Sequence, residues 1–205
     1  MQNEYVRPKS VFQADPPALA SHGTSDDVLV TRVAGGNRLA MHVLFARHHA
    51  RVYRLMLRWV GNAAVAEDAT SEVFLTVWRQ ADRFKARSSV STWLLAIARN
   101  KAVAELRRRR GEALGEEIAA IEDPADDPEV ALQAQDRSNA LRLCLTQLSP
   151  EHREMIDLVY YHEKSIEEVA EIVGIPKNTV KTRTFYARRR LSELLEAAGV
   201  AGVSS

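Results

Sequence analysis

The side chains with the clearest chemical pattern lie near the carboxyl end of the chain. Between Lys177 and Arg190 the sequence has six basic residues and no acidic one. In a helix over this segment, one face would be apolar and pack inward, and that face comprises Val180, Thr184, Ala187, Leu191 and Leu194. A helix fits the DNA major groove and presents basic side chains to base edges and phosphates. The segment therefore predicts a DNA-binding helix, and the alternative is a solvated basic helix that closes a bundle.

The outward side chains of this predicted helix fall into two groups, one suited to base edges and one suited to the phosphate backbone. Candidates for reading base edges are the polar and aromatic groups near its middle, Lys181, Thr182, Phe185 and Tyr186. Candidates for holding the phosphate backbone are three arginines, Arg183, Arg188 and Arg189. The predicted DNA-binding set is completed by two residues at the start of the helix, Lys177 and Asn178.

The elements just before this helix are those that would position it in a groove. Ser165 and Glu168 predict a capping box that opens a short helix ending at Val173. Gly174, followed by Ile and Pro, predicts a turn. A short capped helix, a turn with glycine and a second, basic helix over about 177–197 are the sequence form of a helix-turn-helix.

A second candidate nucleic-acid surface lies in the amino-terminal half. A predicted helix at about 90–110 has an aromatic and polar start and ends in four arginines, 107–110. Aromatic rings beside cations suit single-stranded or flipped bases, because stacking tolerates any base while the cations follow the backbone. The predicted contacts are Lys85, Arg87, Ser88, Ser89, Thr92, Trp93, Arg99 and Lys101. For Phe84 and Trp93, ordinary core packing is an equal alternative.

Charge is unevenly distributed along the 205 residues. The net charge is only +1, but residues 111–130 hold eight acidic side chains and no Lys or Arg. Pro124 and Pro128 break any continuous helix there, so this segment is interpreted as an acidic linker. One hypothesis for its charge is a solvated tether. A second, an RNA-like placeholder on basic surface, is what the family resemblance given below implies.

Helical periodicity on both sides of this linker predicts an all-α protein of two small helical domains. The first domain covers 25–110, a four-helix unit, and the second covers 131–198, which contains the helix-turn-helix. Residues 1–24 are interpreted as a flexible amino-terminal arm, because prolines, glycine and polar residues are scattered there without a period. Residues 199–205 form a carboxyl-terminal tail.

The sequence gives no support for catalysis, a metal or a cofactor. It contains no glycine-rich phosphate loop, nucleophile elbow or metal-ligand spacing, so no catalytic residue is assigned. The single cysteine, Cys144, is predicted to be a small buried hydrophobe. No apolar run approaches the ~20 residues of a membrane span. A cytoplasmic protein without membrane insertion is therefore expected.

Two groups of motifs together resemble the extracytoplasmic-function (ECF) sigma factors of the sigma-70 family. The first group includes the stretches 66–74, AEDATSEVF, and 92–100, TWLLAIARN. The second includes 148–154, LSPEHRE, then 179–183, TVKTR, and 187–191, ARRRL. The resemblance covers about 26–110 and 136–195, corresponding to sigma regions 2 and 4. It departs from the family pattern at Ser71, at Thr184 and at Tyr186, and the arm 1–24 is longer than typical.

The resemblance implies a transcription initiation factor that carries core RNA polymerase to promoters. The first domain is expected to bind the clamp helices of the largest polymerase subunit through Asp68, Glu72, Leu75 and Trp78. It is also expected to melt minus-10 DNA through the loop 85–91, with Asn100 helping to hold a flipped base. The second domain is expected to read minus-35 duplex and to contact the polymerase flap. The family also implies control by an anti-sigma factor.

Two other functions fit parts of the chain. A conventional dimeric DNA-binding regulator would need a sensor or dimerisation domain, which 26–110 does not resemble. A decoy that only sequesters an anti-sigma factor would not need the basic face from Lys181 to Arg190.

Overall fold

The computed structural model describes residues 23–112 and 131–199 of the chain. Within these ranges all regular structure is helical, which confirms the predicted all-α class. The helices are α1 Asp26–Ala34, α2 Arg38–Val60, α3 Ala63–Gln80, α4 Val90–Glu112, α5 Ala131–Thr146, α6 Pro150–Ile156, α7 Ile166–Val173 and α8 Lys177–Ala197. A 3₁₀ turn, Ala81–Arg83, follows α3, and a π-helical turn, Asp157–Tyr161, follows α6. The hypotheses about the arm and the acidic linker concern residues that lie almost entirely outside the described part.

The amino-terminal bundle is organised around α2, which packs against α1, α3 and α4. Its ends are set by local chemistry. Asn37 Oδ1 accepts a hydrogen bond from the Ala40 amide at 2.9 Å, which caps the start of α2. Gly61 ends α2 with φ 74°, a left-handed conformation that glycine adopts without a Cβ penalty. The largest fully buried side chains of this bundle include Leu29, Leu44, Leu55, Met56, Leu94 and Leu95.

The sequence Ser-Asp-Asp at 25–27 predicts a capped start for α1, and the structure differs from that prediction in one detail. Ser25 occupies the cap position, but its side chain makes no capping hydrogen bond. Asp26 instead lies against α2, with Arg47 Nη1 at 2.8 Å and His48 Nε2 at 2.7 Å from its carboxylate oxygens. Burial would raise the pKa of Asp26, but the hydrogen bonds from Arg47 and His48 outweigh it and hold the pKa below its usual range. The cross-helix ion pairs therefore tie α1 to α2.

The carboxyl-terminal unit folds around the contacts of α8 with α6 and α7. The predicted capping box is present, since Ser165 Oγ accepts from the Glu168 amide and Glu168 Oε2 accepts from the Ser165 amide. Gly174 ends α7 at φ 74°. The predicted inner face of α8 is buried at Val180, Thr184 and Ala187. Cys144 is also buried, as expected.

Periodicity alone predicts one helix over about 151–161, and the structure divides this stretch into two elements. Helix α6 ends at Ile156, and the chain continues as the π-helical turn, closed by the His162 amide donating to the Asp157 carbonyl at 3.0 Å. No described helix is both long and apolar enough to cross a membrane.

The two halves pack against each other, a contact that the sequence did not predict. Helix α4 of the first half lies against α7 of the second. Buried apolar residues of both halves belong to one continuous cluster, among them Val90 and Leu94 on one side and Met155 and Leu158 on the other. We call this contact the interdomain seam.

The Thr184 hydroxyl supplies a stability test of the α8 packing. Thr184 is buried and its Oγ1 has no hydrogen-bond partner among the described residues. An unsatisfied buried polar group costs about 1–3 kcal/mol. Thr184→Val keeps the branched shape and removes the hydroxyl, so we expect the free energy of unfolding in urea to rise by about 1 kcal/mol.

Thr182→Val is the matched control, because Thr182 is exposed and its hydroxyl donates to the Asn178 carbonyl at 2.9 Å. Its effect should stay within about 0.5 kcal/mol, as for other surface substitutions. A loss of stability in Thr184→Val would contradict this account of the α8 core.

Candidate nucleic-acid interface and the seam that covers it

The outer face of α8 presents aromatic and basic side chains to solvent. Phe185 is 62% exposed and Tyr186 is 51% exposed, and their rings meet edge to face with centroids 5.4 Å apart. The remaining members of the predicted minus-35 set are exposed or half-buried, namely Lys177, Asn178, Lys181, Thr182, Arg183, Arg188 and Arg189. The structure thus brings all nine residues onto one helix, on the sides away from the core.

Acidic neighbours compensate part of the α8 charge at both ends. Lys177 Nζ lies 3.2 Å from a Glu167 carboxylate oxygen, and Glu193 pairs with both Arg189 and Arg190 at 3.2 Å. Exposed pairs of this kind contribute little to stability, because water and salt screen them. The arginines can therefore exchange these carboxylates for phosphates at small cost.

The loop before α4 carries the other predicted DNA contacts. Lys85 and Arg87 are exposed, and Ala86 between them has φ 50°, a left-handed conformation unusual for a residue with a Cβ. Phe84 and Trp93 are half-buried, with ring centroids 5.1 Å apart, and both pack against the core cluster. That packing favours the core interpretation of these two rings.

Several residues of the predicted minus-10 set face the second domain instead of solvent. Thr92 is fully buried, and its hydroxyl donates to Glu168 Oε1 at 2.6 Å. Lys164 Nζ donates to Ser91 Oγ at 2.7 Å, to Thr92 Oγ1 at 3.1 Å and to Glu168 Oε1 at 2.8 Å. Ser89 Oγ also donates to this carboxylate, at 3.3 Å. We call these five residues the α4–α7 polar cluster.

The charge state of Glu168 holds this cluster together. Burial would raise the pKa of Glu168, but hydrogen bonds from Lys164 and Thr92 outweigh it and lower the pKa from 4.5 to about 2. Because the folded pKa is depressed, the stabilisation is complete above pH 4.5 and is lost as the pH falls toward 2. Glu168 is therefore charged at neutral pH.

Farther along α4, the predicted DNA contacts Arg99 and Lys101 are also paired. Arg99 Nε donates to Glu154 Oε1 of the second domain at 2.7 Å, and the Glu154 side chain is buried. Lys101 Nζ donates to Glu72 Oε2 at 2.8 Å within the first domain. Asn100 between them is exposed, as Lys85 and Arg87 are, while Ser88 is half-buried.

A second polar group of the seam joins α2 to the π-helical turn. Asp157, 3% exposed, accepts hydrogen bonds from Arg58 Nε and from Trp59 Nε1, the latter at 2.9 Å. Arg58 Nη2 also donates to His162 Nε2 at 2.9 Å, and its guanidinium lies 4.6 Å from the centre of the Tyr161 ring. Burial raises the pKa of Asp157, and the Arg58 charge opposes that rise.

The predicted polymerase-binding residues form a separate surface on α3. Asp68 and Glu72 are exposed, Leu75 is 52% exposed and Trp78 is half-buried. An exposed leucine between carboxylates suits a protein partner, because apolar area at the centre of a contact supplies most of its affinity. The Glu72–Lys101 pair places this surface directly beside α4.

Sequence reasoning missed the residues that build the seam. The seam contains five polar side chains that are half-buried or buried, namely Arg58, Trp59, Asp157, His162 and Lys164. The one local signal was the spacing of Lys164 and Glu168, four residues apart, which favours an ion pair on a helix. The other pairs join residues 55 or more positions apart and leave no pattern in the sequence.

Comparisons with known proteins agree with this two-part architecture. Residues 44–112 match the family model of sigma-70 region 2, and residues 138–191 match that of sigma-70, region 4. The chain is 33% identical over 190 residues to the ECF RNA polymerase sigma factor SigK of Mycobacterium tuberculosis (strain H37Rv), covering 89% of this chain and 98% of SigK. It is 32% identical to SigL of M. tuberculosis (strain Erdman), covering 83% and 97%.

Two solved structures share the fold. The sigma factor RpoE of Bartonella quintana, solved with the anti-sigma factor NepR, aligns with TM-score 0.60 and 28% identity over 74% of this chain and 94% of RpoE. CnrH, solved with the cytosolic domain of CnrY, aligns with TM-score 0.64 and 24% identity over 85% and 99%. With both family models matched in order and relatives more than 30% identical along most of its length, the chain belongs to the ECF family of RNA polymerase sigma factors.

Proposed function

We propose that this sigma factor reads minus-35 duplex with the outer face of α8 and opens minus-10 DNA with the 85–101 region, while α3 holds the polymerase clamp. The observation that carries the proposal is the α8 face itself. Two large aromatic side chains and a run of cations stay exposed on a helix whose other face is anchored in the core. Exposed aromatics beside cations suit contact with bases and phosphates.

The domain boundaries of the proposal follow the charge pattern and the described helices. Residues 25–110 bind polymerase and melt DNA, 131–198 bind the minus-35 element, and the acidic residues 111–130 connect them. The chain itself performs no catalysis, because polymerase makes the phosphodiester bonds. We place its action in the cytoplasm, where polymerase and promoters are.

An anti-sigma factor fits the same proposal. The solved structures of RpoE and CnrH each contain a second protein, an anti-sigma factor in the first and the cytosolic domain of CnrY in the second. For this chain, the exposed leucine of α3 and the seam between the domains are the surfaces that such a regulator would cover. Binding there would block polymerase and hold the two domains together.

The seam implies a conformational step before promoter opening. Thr92 and Arg99 belong to the proposed minus-10 contacts, yet both are engaged by Glu168 and Glu154 of the second domain. A side chain cannot serve the seam and DNA at once. The two domains therefore separate when polymerase and promoter are bound.

The minus-35 role is tested by run-off transcription with core polymerase and a promoter selected by pull-down. Phe185→Ala and Lys181→Ala remove one exposed ring and one exposed cation from α8. We expect each to weaken holoenzyme binding to the promoter by about 1–3 kcal/mol, roughly 5–150-fold, with normal binding to core polymerase. Ser192→Ala, exposed on the same helix, is the control. Unchanged promoter affinity in both variants would rule out α8 as the reading helix.

The polymerase-binding role of α3 is tested by substituting an exposed leucine of α3 and, as a control, an exposed leucine of α2. Leu75→Asp should weaken association with core polymerase at least tenfold, because it places a desolvated charge in the contact. Leu39→Asp is the control, since Leu39 is 57% exposed at the start of α2. Affinity is measured by fluorescence anisotropy of labelled chain titrated with core enzyme. Equal effects of the two substitutions would exclude α3 as the specific docking surface.

The closed arrangement is tested by small-angle X-ray scattering on the free chain. Glu154→Gln with Glu168→Gln removes two carboxylate charges of the seam, while Gln preserves the capping box. We expect the radius of gyration to increase at neutral pH. The control, Glu72→Gln with Glu193→Gln, removes two exposed carboxylates that pair within their own domains. It should leave the radius of gyration unchanged. No expansion in the seam variant would show that the Glu154 and Glu168 contacts are not needed to keep the two domains closed.

A further inference from the structure

A cavity at the second polar group of the seam has no role in the proposed function. It measures about 170 Å³ and is lined by Arg51, Arg54, Arg58, Tyr161 and His162. The arginines come from α2 of the first domain, and the other two side chains come from the end of the π-helical turn of the second. The cavity therefore exists in this form only while the two domains are in contact.

The three arginines lie on one face of α2. Positions 51, 54 and 58 are separated by three and four residues, so successive side chains are neighbours on the helix surface. Arg58 is neutralised by Asp157, but among the described residues Arg51 and Arg54 form no ion pair with a carboxylate. Like charges at this spacing destabilise a helix unless an anion compensates them.

His162 contributes a buried ring to the lining of this cavity. Its side chain is 2% exposed. Arg58 can only donate, so Nε2 accepts that hydrogen bond and the neutral ring carries its proton on Nδ1. Nδ1 has no hydrogen-bond partner among the described residues.

The local electrostatic potential is strongly positive. Burial, followed by the charges of Arg58, Arg51 and Arg54, lowers the pKa of His162 to about 3. The ring is therefore neutral at physiological pH, and the nearby cations are three arginines of α2 together with Lys164. An anion with several oxygens would pair with the guanidinium groups that line the cavity.

We propose that this cavity is a binding site for a small phosphoryl anion, with Arg51, Arg54 and Arg58 as its cationic ligands. Guanidinium groups bind phosphate oxygens in bidentate geometry, and several converging arginines favour a multiply charged anion over a carboxylate. The volume accommodates a phosphate or diphosphate group, which is the chemistry shared by inorganic diphosphate and a nucleotide polyphosphate.

Because both domains form the walls, such an anion also favours the closed arrangement. A ligand that binds one of two conformations shifts the population toward that conformation. The anion would therefore oppose the domain separation that the minus-10 contacts need. This consequence rests on the proposed function, whereas binding itself does not.

The test is isothermal titration calorimetry of the full chain with sodium pyrophosphate and, separately, with ATP, at constant ionic strength. We expect saturable binding with one site, and R51Q/R54Q should lose at least tenfold in affinity. R32Q/R38Q makes the same charge change at two arginines that do not line the cavity and should bind like the unmodified chain. Circular dichroism checks that both variants remain folded.

Each outcome decides the proposal. Tighter binding of ATP identifies a nucleotide site, and equal or tighter binding of pyrophosphate identifies a site for the phosphoryl group alone. Absence of saturable binding of both probes up to millimolar concentration would overturn the site. Equal losses of affinity in R51Q/R54Q and R32Q/R38Q would also overturn the site. The effect would then come from the net charge of the chain and not from the arginines that line the cavity. A failure of α8 or α3 in the transcription and polymerase-binding tests would leave this result unaffected.

Discussion

The contact of Arg58 and Trp59 with the buried carboxylate of Asp157 determines how the two helical domains meet. Removing a charge from water is costly, and the cost is recovered only when geometry and further hydrogen bonds are favourable. Asp157 meets that condition, because a guanidinium and an indole N–H both donate to it. The arrangement is therefore specific: sliding one domain over the other would leave a buried carboxylate without partners.

The same seam explains how one set of side chains can serve two states. The α4–α7 polar cluster satisfies Thr92 and Lys164 with hydrogen bonds while the domains are closed. In the open state these groups would be hydrated or would contact DNA. Polar contacts exchange for water at small net cost, whereas an apolar seam would have to expose its full area. A seam that is polar in part is therefore suited to reversible closure.

Each face of α8 has a feature that does not favour stability. Outside, Phe185 and Tyr186 remain in solvent, which a stability-driven sequence would avoid. Inside, Thr184 buries a hydroxyl without a partner, where the family resemblance leads one to expect leucine. The exposed rings are consistent with a binding face, but nothing in the described contacts explains the buried hydroxyl.

The sequence alone was sufficient wherever the cause lies within a few residues. Gly61, Gly174 and the Ser165–Glu168 capping box act through hydrogen bonds between residues three to five positions apart, so the helix ends and the helix-turn-helix could be predicted. The exposed face of α8 could also be predicted, because helical periodicity is a short-range pattern. Ser25 shows the limit of this reasoning, since the cap that its type favours gives way to the Asp26 contacts with α2. Only the tertiary structure could decide that Thr92 and Arg99 face the second domain and that three arginines of α2 share a cavity with His162. Those contacts join positions 55 to 104 residues apart, and neither periodicity nor local propensity carries information over that distance.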